Sequence, residues 1–448
     1  MNKQEVQTAA SIGLLYQVRM LGLFMILPVL PIAGRELSHA TPALIGLALG
    51  IYGLSQAVLQ IPMGLMSDKF GRKNVILVGL CLFVAGSLVA AFSESIYGVI
   101  AGRFLQGCGA IASSLLALMS DLTRIDHRSK SMAIIGVSIG ASFGLALVLG
   151  PLVHNFFGLR GVFLFAAVAG VSGILVLLTV IPAPKVRTRN LETMLQKDRI
   201  GSVLRDSGLM RLNVGIFMVH YLLMASFIAF PLILEATGSI PPGKHYVYYF
   251  VMLLVSFVVM TPFMWLSDKT RYANPMLLIT IAICMFSLVL LGGAGGYYTV
   301  LGAITLFFMA FNLLEVMLPA RVSKMAAAGS RGTAMGVYSS SQFAGIFAGG
   351  TVGGLILSHS DISTLMWVNA TFCLLWLMLS FRLPKLGDIA SRTYCYDESS
   401  VLSANQILER LLSIRGVIDV VLIEEEKIAY LKIDNNAFDD SELAMIGN

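Results

Sequence analysis

Twelve apolar runs dominate this chain, each near the roughly 20 residues an α-helix needs to cross the hydrocarbon of a bilayer. They are read near residues 10–34, 43–67, 74–93, 96–120, 131–154, 161–182, 211–236, 244–267, 274–292, 297–320, 332–358 and 362–382. Composition agrees: 57% of the 448 residues are hydrophobic and 12% are charged, against about a quarter charged in ordinary soluble domains. The fold class expected is therefore an all-α membrane protein with the lipid bilayer as a partner. No basic segment with a small-residue cleavage site precedes the first run, which reads as a retained helix. Five cysteines, mostly inside the runs, show neither paired nor metal-binding spacing, so no metal and no cofactor are expected.

Positive charge sets the orientation. Each loop after spans 2, 4, 6, 8 and 10 carries two or more Lys or Arg, whereas the alternate loops carry at most one, namely Arg35, Arg160 or Lys244. Both termini are expected in the cytoplasm. The net charge of +6 reflects this sidedness, and no nucleic acid is needed to explain it. The polar, basic segment 183–210 splits the spans six and six. The expected domains are an N-terminal bundle (1–182), a cytoplasmic linker (183–210), a C-terminal bundle (211–384) and a soluble cytoplasmic tail (390–448).

One interruption between spans is unusually charged: Gly64 to Lys73, GLMSDKFGRK. On a continued helix Gln60, Gly64 and Asp68 share a face. Pro62, Ser67, Asp68 and Lys69 recur as Pro262, Ser267, Asp268 and Lys269, exactly 200 residues on, and the 136–150 segment aligns with 336–350 at the same shift. Pro28 stands opposite Pro231 at a shift of 203. Two parallel six-helix halves enclosing a midplane substrate site follow from such a repeat.

These residues carry a family resemblance. GLMSDKFGRK resembles the span 2–3 loop signature of the major facilitator superfamily. Arg103, Gln106, Gly107 and Gly109 resemble its span-4 motif. The glycine-rich span 5, ending in Gly150-Pro151, resembles the antiporter motif, although His154-Asn155 replaces the glycine pair that follows. Leu21-Gly22 with Pro28 and Pro31 fits the drug/proton antiporter branch. The resemblance implies a gating charge cluster of Gly64, Asp68, Arg72 and Asp121, latching the halves on the cytoplasmic side. For Lys69 and Lys73 simple topology suffices. Gly136, Gly140 and Gly144 in span 5 and Gly345, Gly349 and Gly353 in span 11 recur at four-residue spacing, which lets helix backbones approach, and Gly140, Gly144, Gly150 and Pro151 are expected to supply packing and a hinge.

By the same analogy spans 1, 4, 7 and 10 line the cavity, and each carries polar residues: Arg19; Arg103 and Gln106; Asn213 and His220; Asn312 and Glu315. The i, i+3 and i, i+7 spacings place each pair on one face. Charge inside a bilayer costs about 2.5–3.5 kcal/mol on insertion scales and normally faces a polar cavity. Glu315 and His220 are the candidates for carrying a coupled proton, with Arg19, Arg103, Gln106, Asn213 and Asn312 as substrate-cavity candidates. The other reading of Glu315 is a static pair with one of the arginines.

After Pro384 the composition becomes that of a soluble domain. Strand 393–399, helix 404–414, a hairpin of 417–423 and 427–433 and helix 439–446 suggest a small ferredoxin-like α+β unit. It resembles heavy-metal-associated domains, but only Cys395 lies near the metal loop and no CxxC is present. A facilitator with such a tail resembles the YajR-type transporters of the bacterial inner membrane. The reading is a proton-coupled exporter of a small or lipophilic substrate by alternating access. The alternatives are a sensor signalling through its tail and a proton/nutrient symporter. No catalytic constellation is legible, so no enzyme is expected.

Overall fold

The computed structural model describes residues 3–124, 127–182, 196–238, 240–267, 269–293, 295–383, 389–395, 404–423 and 428–438. Among them, ten helices are long and apolar enough to cross a membrane. A bilayer enforces helices, since no water there can satisfy an open N–H or C=O. One helix, Arg128–Thr179, has 52 residues and twice the length one span requires. It is broken at Gly158, whose φ of 66° and ψ of −172° lie in a region open essentially to glycine alone. It therefore supplies both span 5 and span 6.

The first span is also interrupted. Helix Lys3–Phe24 ends before Pro28, and a short helix, Leu30–Ala33, resumes after it. Proline has no N–H for the helix ladder and its ring clashes with the carbonyl one turn back. Span 4 is likewise two pieces, Ile96–Cys108 and Ala112–Leu122. At the break Gly109 packs so closely that a Cβ would stand 2.3 Å from the Gly79 carbonyl of span 3. The remaining spans are Pro42–Phe70, Arg72–Ala91, Ser207–Ala236, His245–Ser267, Thr270–Gly292, Tyr297–Met325, Arg331–His359 and Ile362–Ser380. With Gly158 dividing one helix and the interrupted first span included, the twelve expected spans are all present.

Side-chain caps start several helices. Thr41 Oγ1 accepts from Leu44 N (3.2 Å), and Asp361 Oδ1 accepts from Thr364 N (2.8 Å). Asp206 Oδ1 takes both Gly208 N and Leu209 N, at 2.8 and 3.0 Å, and so begins span 7. Each cap satisfies a backbone donor that the first helical turn leaves open.

The halves meet along spans 2 and 11. A Cβ on Gly46 would lie 2.3 Å from Gly350 O, one on Gly50 2.8 Å from Phe347 O, and one on Gly53 2.5 Å from Phe343 O. All three lie toward the end that carries Arg35. There Arg35 approaches Glu235 at 3.8 Å, and Asn155 Nδ2 donates to Gly243 O at 2.7 Å, both across the halves. A cavity of about 510 Å³, lined by Pro31, Arg35, Thr41, Ile228, Leu357 and Ser360 among others, lies at this end.

The glycine expectation needs correcting by position. In span 5, a Cβ on Gly136, Gly140 or Gly144 would meet nothing within 4 Å. Gly150 does pack closely, 2.2 Å from Met25 O on the same test, and so do the glycines of span 11. Gly345 and Gly349 press on Phe217 O and Tyr221 O of span 7, each at 2.2 Å, while Gly350 faces span 2. The glycine ladder of span 5 lies in the half of that helix nearer the Asp68 end, away from the closed seam.

The tail forms a three-stranded antiparallel sheet in the order β1-β3-β2, from Ile389–Cys395, Val417–Ile423 and Ile428–Asp434, with helix Ala404–Ser413 packed on it. Its first strand starts earlier than expected, because Ile389 to Cys395 pair residue for residue with Asp434 to Ile428. The expected helix at 439–446 and Asp268 lie outside the described residues. The tail docks on the segment between spans 10 and 11. Lys432 Nζ donates to Met325 O (2.9 Å), Asp419 Oδ2 accepts from Ala328 N (3.0 Å), and Ala328 packs with Ile428 and Tyr430. The linker helix Lys197–Arg205 grips the same segment, with Arg199 Nη1 donating to Ala328 O at 2.9 Å.

Candidate functional site

The charge cluster is assembled within the N-terminal half. Gly71, at φ 97°, ends span 2 and starts span 3, turning Arg72 back over the last turn of span 2. Arg72 Nη1 contacts Asp68 Oδ1 and donates to Ser67 Oγ at 2.8 Å, while its Nε donates to Asp121 Oδ2 at 3.3 Å. The side chains of Arg72 and Asp121 are 5% and 2% exposed. Gly64 brings span 2 against span 4: a Cβ there would stand 2.9 Å from Ser113 Oγ. Lys73 also has a fixed role, its Nζ donating to Ile181 O at the end of span 6 (2.7 Å).

Deeper in that half are two buried guanidinium groups. Arg103, fully buried, donates through Nε to Ala48 O (3.3 Å) and through Nη1 to Gly22 O (3.0 Å) and Gln106 Oε1 (3.1 Å). Gln106 in turn donates to Ser87 Oγ at 2.7 Å. This pair ties spans 1, 2, 3 and 4 together. Arg19 Nη2 reaches Tyr52 OH at 3.3 Å, and the Arg103 guanidinium lies 5.0 Å from the centre of the Tyr52 ring.

The C-terminal half brings Glu315 and His220 together. His220 Nδ1 is 3.5 Å from Glu315 Oε1, with the histidine 1% and the carboxylate side chain 29% exposed. The same nitrogen lies 3.3 Å from Ile216 O, which can only accept. Nδ1 therefore carries the ring proton, and Nε2 accepts from the Gln342 amide at 2.8 Å. Glu315 pairs with neither Arg19 nor Arg103. Asn312, 9% exposed, stands one turn away, its Nδ2 without a hydrogen bond. Asn213 is buried about 10 Å further along span 7, against Met210 Sδ (3.7 Å), and does not join this group.

Rings from both halves close over the pair. Phe143 of span 5 stands 5.1 Å from Phe24, 5.1 Å from Phe311 and 6.4 Å from Phe227, and Phe311 lies 5.8 Å from the His220 ring. Sequence reasoning missed Tyr52, Gln56 and Gln342, which hold Arg19 and His220 in place. The available signal was a glutamine or tyrosine inside an otherwise apolar span.

The family model for the Major Facilitator Superfamily matches residues 12–350. The chain belongs to the major facilitator superfamily. A second model, the YajR YAM domain, matches residues 399–443 of this facilitator's tail. The facilitator is 39% identical over 445 residues to the inner membrane transport protein YajR of Escherichia coli, covering 99% of this chain and 97% of that protein. It is 26% identical to multidrug resistance protein 2 of Bacillus subtilis, over 76% and 86% of the two chains. Its fold matches the crystal structure of a bacterial homolog of the human lysosomal transporter Spinster, inward-facing and unoccupied, with a TM-score of 0.71, 13% identity and coverage of 85% and 97%. It is thus a multi-pass membrane transporter of facilitator fold.

Proposed function

We propose that this transporter exports a small or lipophilic compound across the bacterial inner membrane in exchange for protons. The observation that carries the reading is the Glu315–His220 pair, a carboxylate and an imidazole at 3.5 Å with the carboxylate still 29% exposed. A proton on Glu315 neutralises it, while a proton on His220 Nε2 requires Gln342 to present its amide oxygen in place of its N–H. Loading thus rearranges contacts among spans 7, 10 and 11, the last of which forms the seam with span 2. Such a pair biases the two conformers only if it binds the proton differently in each.

The orientation follows the positive-inside rule, with the Asp68 end and both termini in the cytoplasm. The seam at the Arg35 end is then closed toward the outside, and the uncovered glycines of span 5 mark the side that opens inward. Gly64, Asp68, Arg72 and Asp121 gate that inner side. The inner-membrane location is supported by YajR, and the export direction by multidrug resistance protein 2. Reconstitution into liposomes with an imposed pH gradient tests the reading. Substrate flux should follow the gradient in the wild type and lose that dependence in Glu315→Gln, and undiminished coupling in the variant sinks it.

A second reading, a sensor signalling through its tail, draws on the docking of Lys432 and Asp419 on the span 10–11 segment. Deleting 390–448 separates the two, because a sensor moves no substrate with or without the tail.

A further inference from the structure

Arg19 is an incompletely matched cation in the membrane interior. It is 2% exposed, its Nε and Nη1 have no hydrogen-bond partner, and no carboxylate among the described residues lies within 4.0 Å of it or of Arg103. Arg103 is different in kind: backbone carbonyls and Gln106 occupy its Nε and Nη1, leaving Nη2 open. Burying a charge without a partner is costly, and intramembrane cations normally face a partner or a polar path. The open donors of Arg19 have no partner among the described residues.

Tyr52 sharpens the assignment. Its hydroxyl accepts from Arg19 Nη2 and from Gln56 Nε2, both at 3.3 Å. A phenol has two acceptor lone pairs and one proton. With both lone pairs used, the Tyr52 proton is available to donate alongside the free N–H groups of Arg19. Within the group of Arg19, Tyr52 and Gln56 the open valences are donors except Gln56 Oε1, which has no partner. Donors converging from a guanidinium and a phenol select an oxyanion.

We propose that the transported compound bears an acidic group, a carboxylate, sulfonate or phosphate, and that Arg19 with the Tyr52 hydroxyl binds it. This rests on the transporter reading above and deepens it by naming the substrate class. The aromatic cluster of Phe24, Phe143 and Phe311 suits an apolar body attached to that acid. Deep in the N-terminal half stand two guanidinium groups, Arg19 and Arg103, and in the other half stands one part-buried carboxylate, Glu315. An acidic substrate balances the first, and a proton balances the second.

The experiment uses the full chain in phosphatidylcholine nanodiscs and three acidic probes, naphthoate, naphthalenesulfonate and naphthyl phosphate, each against neutral naphthamide. Binding by calorimetry should favour at least one acid over the amide by about tenfold or more. Arg19→Gln should erase that preference, Arg19→Lys should keep part of it, and Tyr52→Phe should reduce it severalfold. Proton coupling is read separately, by gradient-driven flux of the wild type in liposomes, so an acid preference without coupled flux sinks the coupling scheme and leaves the anion site standing. Equal binding of acids and amide, no binding of any acid, or an unchanged preference in Arg19→Gln overturns the proposal. A free anion and a lipid headgroup share this chemistry, so phosphatidylglycerol is added to the discs as a final arm. Competition by that lipid, lost in Arg19→Gln, would assign the site to a headgroup and overturn the soluble-substrate assignment.

Discussion

A single methyl group on Gly46 would stand 2.3 Å from the carbonyl oxygen of Gly350, so these two residues bring the halves of the transporter into backbone contact. Gly46→Ala or Gly350→Ala must push span 2 from span 11, since backbone on both sides leaves no flexible side chain to yield. Overpacking of this kind costs about 1–3 kcal/mol, here charged to one conformer. With Arg35 and Glu235 replaced by cysteines, cross-linking yield should fall severalfold in either alanine variant. An unchanged yield would show that the seam does not hold that end shut.

Arg72 stands between two carboxylates, and Asp121 is the deeper, at 2% side-chain exposure. Arg72→Met leaves a buried carboxylate without that cation, at a cost of about 3–5 kcal/mol for a fully buried pair. A clear drop in melting temperature of the purified protein is expected, and Asp121→Asn in the same background should recover most of it. If the double variant melts as low as the single one, packing of the arginine stem matters more than charge.

For the proton site, Gln342→Leu removes the donor to His220 Nε2 without touching Glu315. Gradient-driven flux should fall severalfold, while substrate binding at equilibrium is retained. Loss of binding together with flux would place Gln342 in substrate recognition instead.

Lys432 gives a pH dependence with a definite sign. Burial holds its ammonium below the usual lysine range, with Asp419 and Asp206 opposing the shift. The docked tail then binds fewer protons than the undocked tail over a window below the ordinary lysine value of 10.5. Docking should tighten as pH rises through that window. Spin labels at Ser413 and Arg331 should report a growing close-distance population, and Lys432→Met should flatten the response. Weaker docking at higher pH would reverse the assignment.

Periodicity and charge made much of this architecture legible. The span 2–3 loop announced Asp68 and Arg72, and the 200-residue repeat announced two halves. Three things were not legible. Pairing of His220 with Glu315 joins residues 95 positions apart, and their helical spacing says which faces they occupy but not that the faces meet. The glycines of spans 5 and 11 look alike in sequence, yet Gly345 and Gly349 meet the backbone of span 7 and Gly350 that of span 2, whereas a Cβ on Gly136, Gly140 or Gly144 would meet nothing within 4 Å, because which neighbour lies over a helix face is not written in its spacing. Pro28 was visible, but whether a span bends or breaks at a proline depends on neighbours that can satisfy the freed carbonyls.

Gly158 joins spans 5 and 6 with no intervening loop. A flexible connection would absorb a tilt of one helix, whereas a one-residue elbow passes it on. A tilt of span 5 should therefore carry span 6 with it, as a crank drives its shaft, and a flexible tag or protease site inserted at this corner should uncouple the two.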